Sequence, residues 1–124
     1  MAEQPSGGYR SLKAWQKAMS LAEAIYKLTH KLPDSERFGL ISQMQRAVVS
    51  IPCNISEGHG RSNKDFIRFL TMSRGSTLEL ATQVELCVRL GFVDRETVIP
   101  VWRECQSVSR MLMRLIQAIR RRDQ

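Results

Sequence analysis

A chain of 124 residues with 43% hydrophobic residues is long enough for one domain with a sizeable core, and this composition argues against a disordered protein. No apolar run approaches the roughly 18 residues that a membrane span requires, and residues 1–10 lack the apolar segment of a signal peptide, so we expect a cytoplasmic protein that does not contact a membrane. The net charge of +7 favours a polyanionic partner.

The amino-terminal part predicts a flexible tail followed by a long helix. Residues 1–10 contain Pro5 and the two glycines Gly7 and Gly8, so we predict a tail over 1–10 and a single helical domain over 11–122. Ser11 is the predicted cap of a helix that ends near Lys31. Its apolar positions alternate in steps of three and four, the spacing of a bundle seam. They are Leu12, Trp15, Met19, Ala22, Tyr26, Thr29 and Leu32.

The second predicted helix contains a proline. Asp34 or Ser35 is its predicted cap, and it should end near Gly58 and Gly60. Because Pro52 lacks a backbone donor and crowds the preceding turn, we expect a kink there. The predicted buried positions are Phe38, Ile41, Met44, Val48, Ile51 and Ile55.

Two further helices complete the prediction. Ser62 or Asn63 should cap the third helix, Gly91 should end it, and Asp94 should cap the fourth. The small pair Gly75-Ser76 should let another helix approach closely. The third helix has an inner face of Phe66, Phe69, Leu70, Leu80, Val84 and Cys87, and the fourth has a seam of Val98, Val101, Cys105, Val108, Leu112, Leu115 and Ile119.

Four amphipathic helices joined by short turns predict an all-α fold, specifically an up-down antiparallel four-helix bundle with a proline-kinked second helix. Apolar residues outside the seams also predict self-association, because one bundle cannot bury all of them. These residues include Ile25, Leu40, Val49, Ile67, Leu86 and Ile99.

No residue pattern indicates catalysis, a metal or a cofactor. Neither His30 nor His59 follows a glutamate by three residues, as a di-metal bundle site requires. Three cysteines without ligand spacing predict buried reduced thiols. Cys53 and His59 point to different sides of a helix, so a nucleophile pair is not expected. We therefore predict a protein that is not an enzyme.

A group of polar residues on the second and third helices has two interpretations. The side chains could hydrogen-bond between helices and fix the register of the kinked helix, which is the interpretation we favour. Alternatively, they could line a binding surface or a subunit contact. The group comprises Arg46, Ser50, Asn54, Glu57, Glu79 and Gln83.

The fourth helix carries a row of arginines opposite its seam. Arg103, Arg110, Arg114 and Arg121 follow one another at steps of seven, four and seven, with only Glu104 and Asp123 as nearby acids. On the first helix, Lys13 and Lys17 belong to a basic side that also includes Lys27 and Lys31. Such rows suit contact with phosphates of RNA or DNA without base recognition. With 6% aromatic residues, most at seam positions, no platform for stacking bases is expected.

Several motifs resemble the proteins encoded within intervening sequences of bacterial 23S ribosomal RNA genes. They include residues 12–18 (Leu-Lys-Ala-Trp-Gln-Lys-Ala), residues 50–52 (Ser-Ile-Pro), and Gly75-Ser76 followed by Glu79-Leu80. The resemblance implies a closed bundle that assembles into a pentamer. The similar accessory proteins of diversity-generating retroelements imply nucleic-acid affinity and a protein partner. A protein-protein scaffold or adaptor is therefore the alternative to nucleic-acid binding.

Overall fold

The structure is a computed structural model that describes residues 8–123. All regular secondary structure in this range is helical, and none of its residues forms a strand. The four main helices are α1 (Lys13–Thr29), α2 (Leu40–Gly58), α3 (Asn63–Arg89) and α4 (Arg95–Arg122), and short 3-10 turns span Gly8–Ser11 and Asp34–Glu36. The predicted all-α, four-helix class is confirmed.

The helices pack in a ring around one core. α1 contacts α2 and α4, while α3 contacts α2 and α4. Asn63, which begins α3, bonds to Asp123 just beyond α4, and Glu85 near the end of α3 pairs with Arg95 at the start of α4. These two contacts show that α3 and α4 run in opposite directions. The up-down course of all four helices and the kink at Pro52 stay predictions.

The residues before α1 form a turn. Ser11 donates a hydrogen bond from its Oγ to the carbonyl of Gly8 at 2.8 Å, and the N-cap position of α1 belongs to Leu12. Ser11 was therefore wrongly predicted as the cap. The Tyr9 ring packs edge-on against Trp15, with 5.4 Å between centroids. The part of the predicted tail that spans 1–7 lies outside the described residues.

The buried side of α1 is offset from the predicted one by one residue, or about 100°. Met19 and Tyr26, predicted to be buried, are 40% and 42% exposed. Both sets of positions alternate in steps of three and four, but the true set includes two alanines, which give a weak hydrophobic signal. The buried positions are Ala14, Ala18, Leu21, Ile25 and Leu28, and at the end of the helix the predicted Thr29 and Leu32 are buried as well. Of the basic side of α1, Lys13 and Lys17 lie beside α4.

Two residues that supported self-association belong to the core instead. Ile25 is fully buried in α1, and Leu40 is buried at the start of α2. Val49, Leu86 and Ile99 remain exposed to between 36% and 42%. Ile25 and Leu40 therefore give no support to self-association, whereas Met19, Tyr26 and Phe38, predicted to be buried, are exposed.

The start of α2 differs from the prediction. The N-cap position of α2 belongs to Gly39 and not to Asp34 or Ser35, and Glu36 accepts a hydrogen bond from the backbone N–H of Leu40 at 3.2 Å. Because the helix begins only at Leu40, Phe38 precedes it and is 89% exposed. The remaining predicted core positions of α2 fit better. Met44, Val48, Ile51 and Ile55 are fully buried, and Ile41 is partly buried.

The close approach between helices occurs at Gly58. A Cβ atom added to Gly58 at the end of α2 would lie 2.6 Å from Cβ of Phe69 in α3. A Cβ atom on Gly75 would meet nothing within 4 Å, and Gly75 is exposed. The expectation that Gly75 permits close packing within the bundle was therefore wrong, and Gly58 has that role.

The predicted ends of α3 and the seam of α4 agree well with the structure. Ser62 caps α3 by accepting the N–H of Asp65 at 3.2 Å. Gly91 follows the helix with a φ of 78°, a backbone conformation that favours glycine. Asp94 occupies the N-cap position of α4 without a side-chain bond. The seam of α4 differs at one position. Leu115, predicted to be buried, is only partly buried, and its neighbour Ile116 is buried instead.

Candidate nucleic-acid interface

The outer side of α4 presents four arginines to solvent. Arg103, Arg110, Arg114 and Arg121 are all exposed, because the seam on the opposite side of α4 is buried in the bundle. Their steps of seven and four residues keep them within about 40° of one another around the helix. We call these four residues the α4 basic face.

The two acids nearest to this face contact other residues. Glu104 accepts from Nζ of Lys17 in α1 at 3.2 Å, and Asp123 accepts from Nδ2 of Asn63 in α3 at 2.7 Å. Within residues 8–123, no arginine of the α4 basic face has a carboxylate within 4.0 Å. The face therefore keeps its full positive charge.

The two lysines predicted for nucleic-acid binding differ in their surroundings. Lys17 is half-buried and its ammonium pairs with Glu104, with about 40% of each side chain exposed. Lys13 is exposed and lines an open depression between α1 and α4 together with Lys17 and Met111. Lys13 is thus free to add to the charge beside α4, whereas the charge of Lys17 is offset.

The polar group on α2 and α3 forms fewer bonds between helices than predicted. Ser50 Oγ lies 2.6 Å from Oγ of Ser76, which joins α2 to α3. Asn54 donates to the carbonyl of Ser50 within its own helix, and Gln83 donates to Glu79 at 3.4 Å within α3. Of the six predicted residues, only Ser50 therefore bonds directly across the contact.

The remaining predicted members of this group face solvent. Arg46 and Glu57 are exposed, and neither side chain forms a hydrogen bond within residues 8–123. Arg46 lines a shallow depression with Glu79 but does not pair with it. The second bond across the contact comes from Ser73, which donates to the carbonyl of Ile51 at 2.8 Å. A serine in the buried row of α3 was the sequence signal for it.

Two buried polar atoms on α3 lack a partner among the described residues. They are Nε of Arg74 and Oε1 of Gln83. Gln83 is 7% exposed, so its amide oxygen is shielded from water. An unpaired buried oxygen lowers stability, typically by about 1–3 kcal/mol. Not every buried polar atom of α3 therefore has a hydrogen-bond partner among the described residues.

The cysteines and histidines offer no reactive arrangement in the described part of the chain. Burial raises the pKa of the Cys105 thiol to about 12, and burial also raises the pKa of Cys87, so neither is a thiolate at neutral pH. Cys53 is exposed, which corrects the prediction that all three are buried. His59 packs edge-on against Phe66. Within residues 8–123, no three His, Cys, Asp or Glu side chains form a metal-binding group.

A partly enclosed pocket lies between α3 and α4, beside the α4 basic face. Its volume is about 320 Å³, at the small end of the roughly 300–1,000 Å³ range of ligand pockets. The lining residues are Val84 and Glu85 of α3 and Arg95, Val98, Ile99 and Trp102 of α4. We call this the Trp102 pocket. Sequence reasoning missed it, although a tryptophan outside the predicted seam was a visible signal.

A cluster of charges borders the Trp102 pocket. Glu85 accepts from both terminal nitrogens of Arg95 at 2.8 and 3.0 Å, and from Nε of Arg89 at 2.9 Å. These two guanidinium groups, Arg95 first, lower the pKa of Glu85 from 4.5 to about 2. Two positive charges thus surround one negative charge, so the cluster is net positive.

Residues 8–123 thus form a four-helix protein in which the arginines of the α4 basic face have no carboxylate within 4.0 Å. The sequence profile of the 23S rRNA-intervening sequence protein family matches residues 10–114, and the chain belongs to this family. No curated protein matches the chain. No helix within residues 8–123 has the length and apolar character needed to cross a membrane.

A solved structure from Bacteroides thetaiotaomicron is similar to this chain. It is a crystal structure of a protein with unknown function from the S23 ribosomal protein family. The two share 25% sequence identity with a TM-score of 0.77, over 83% of this chain and 97% of the Bacteroides chain. The likeness thus extends over nearly the whole of the other protein and supports the four-helix fold.

Proposed function

We propose that this protein is a non-catalytic, cytoplasmic bundle that binds RNA or DNA through backbone phosphates. The observation that carries the proposal is the unpaired state of the α4 basic face. Glu104 and Asp123 are engaged by Lys17 and Asn63, which leaves the arginines available. The net charge of +7 adds a general attraction for polyanions. Phosphate contacts carry no base information, so binding should be strongly salt-dependent and weakly sequence-selective.

The test compares wild-type protein with a variant in which Arg103, Arg110 and Arg114 are all replaced by glutamate. Gel-shift titrations with RNA and with duplex DNA at about 50–200 mM salt measure the affinity. We expect the variant to lose about 100-fold or more in affinity, because three attractive charges become repulsive. Its helical circular-dichroism signal should not change, since all three side chains are exposed.

A matched control changes the net charge equally at another place. Lys27, Lys31 and Arg46 are exposed on α1, on the turn after it and on α2, and their replacement by glutamate also lowers the charge by six. This control should retain most of the affinity. An equal loss in both variants would mean that net charge alone attracts nucleic acid. No binding by wild-type protein at low salt would end the proposal.

Self-association into a homo-oligomer is the second part of the proposal, and the family resemblance makes a pentamer the expected size. Met19 and Tyr26 of α1 and Val49 of α2 are each about 40% exposed, and Tyr26 and Val49 border the same depression. Exposed apolar groups of this kind often mark contacts. Light scattering at micromolar concentration should give about five times the monomer mass. A monomer would contradict this part.

The same apolar residues favour an alternative function as a scaffold or adaptor for another protein, for example as an accessory subunit of a nucleic-acid enzyme. Tyr26 and Val49 could contact such a partner. A protein captured by the wild type, released by Val49→Glu and unaffected by nuclease would favour this alternative. Release by nuclease would favour nucleic-acid binding.

A further inference from the structure

We propose that the Trp102 pocket receives an unpaired base of a single-stranded nucleic acid whose phosphates contact the α4 basic face. This inference rests on the proposed function and deepens it, because it names single strands with accessible bases as the ligand. Phosphate contacts alone would not distinguish single strands from duplexes in this way.

The first support is the chemistry of the pocket. Trp102 is 45% exposed and Ile99 is 36% exposed, so an aromatic and an aliphatic side chain of α4 both reach solvent here. Val84 and Val98 are buried at the base of the pocket. A planar, mostly apolar group can therefore replace water against these side chains. Nucleobases stack on aromatic side chains with little dependence on sequence, so the exposed Trp102 offers the stacking surface that the small number of aromatic residues did not lead us to expect.

The second support is the position of the pocket relative to the arginines. Ile99 and Arg103 are four residues apart on α4, which makes them neighbours on the helix surface. Trp102 immediately precedes Arg103 in the chain. A strand that contacts Arg110 and Arg103 with its phosphates and continues towards the start of α4 would thus reach the mouth of the pocket, within reach of one of its bases.

The third support is the charge at the rim. Among the described residues, Glu85 is the only acid that lines the pocket, and Arg95 and Arg89 surround it with two positive charges. A polyanion therefore meets no net repulsion at the rim. A second copy of this chain fits less well, because its net charge is also strongly positive. The pocket and its surroundings are thus complementary to nucleic acid.

The test uses three oligonucleotides of equal length: a single strand, the corresponding duplex, and an abasic strand that keeps the phosphates but lacks the bases. Wild-type protein should bind the single strand about 10-fold more tightly than the abasic strand, the order of effect that one base–aromatic stack provides. Trp102→Leu should remove this preference while it retains binding to all three. Trp102→Phe should keep the preference, because it keeps an aromatic face.

Fluorescence gives a second measurement that does not depend on affinity. In a Trp15→Phe background, Trp102 is the only tryptophan, and its emission should be quenched by the single strand and not by the abasic strand. Equal binding of single and abasic strands, with unchanged emission, would overturn this inference and leave the proposed function intact. An emission change that follows protein concentration alone would assign the pocket to another copy of the chain. Absence of all binding would overturn both proposals.

Discussion

The contact between α2 and α3 and the outer side of α4 both carry rows of polar residues at helical spacing, but their side chains have different partners. At the contact between α2 and α3, Ser50 of α2 bonds to α3 at 2.6 Å, and Ser73 of α3 bonds to α2 at 2.8 Å. On α4, the arginines face solvent, and their neighbouring acids pair with other helices. The presence of an opposing helix therefore decides whether a polar row fixes the packing or remains available to a ligand.

Of the changes that test this difference, Gly58→Ala should have the largest effect, because it disturbs the packed contact between α2 and α3 directly. The new Cβ atom would meet Cβ of Phe69, which cannot rotate away, so α2 and α3 would have to separate. We expect the free energy of unfolding to fall by about 2–3 kcal/mol in urea titrations. Gly75→Ala is the matched control. Its Cβ atom meets nothing within 4 Å, so better helix propensity should raise stability by up to about 1 kcal/mol. Equal effects of the two changes would contradict the packing described.

These two glycines also illustrate what the sequence could predict. Periodicity predicted the number of helices, their approximate bounds and most of the core, because those features depend on local hydrophobic spacing. It could not distinguish Gly58 from Gly75, since close approach depends on which helix lies opposite. For the same reason, α1 was predicted one residue out of phase. The small residues Ala14 and Ala18 mark its buried side only when the neighbouring helices are known.

The candidate site was predictable in part. The spacing of the α4 arginines predicted a single exposed row, and the structure places them so. The pairing of Lys17 with Glu104 was not predictable, because it depends on the rotation of α1 against α4. Trp102 was missed because a pocket requires two helices, and the sequence of α4 alone does not show that Val84 and Glu85 complete it.

The next effect concerns the salt dependence of binding. Arg110→Gln should reduce the slope of log affinity against log salt by about 0.7–0.9, the change expected for one lost phosphate contact. Arg46→Gln removes the same charge from α2, which lies diagonally across the bundle from α4, and should leave the slope unchanged. The measurement is a titration at several salt concentrations for each variant. If only Arg46→Gln reduced the slope, nucleic acid would have to bind on the α2 side of the bundle and not at the α4 basic face.

Gln83→Met should change the free energy of unfolding by less than Gly58→Ala. This change removes the buried oxygen that lacks a partner together with the long 3.4 Å bond to the exposed Glu79, and it nearly conserves side-chain volume, so the free energy of unfolding should stay the same or rise by about 1 kcal/mol. Ser73→Ala is the contrasting change. It removes a satisfied bond to the Ile51 carbonyl and should lower stability by about 1 kcal/mol. Urea titrations measure both. A marked loss for Gln83→Met would indicate that the amide oxygen has a partner in solution.

The smallest effect is a pH dependence at the rim of the Trp102 pocket. The pKa of Glu85 is lowered from 4.5 to about 2, first by its bonds to Arg95 and then by those to Arg89. A lowered carboxyl pKa contributes stability that is fully present above about pH 4.5 and is lost as the pH falls towards 2. Glu85→Gln should therefore lower the melting temperature slightly at pH 6, and the difference from wild type should shrink as the pH falls from about 4.5 towards 2. Glu79→Gln is the control, because within residues 8–123 its carboxylate has no arginine or lysine nitrogen within 4.0 Å. A Glu85→Gln difference as large at pH 2 as at pH 6 would have to come from packing, since a large part of Glu85 is protonated at pH 2 and no longer forms the ion pairs.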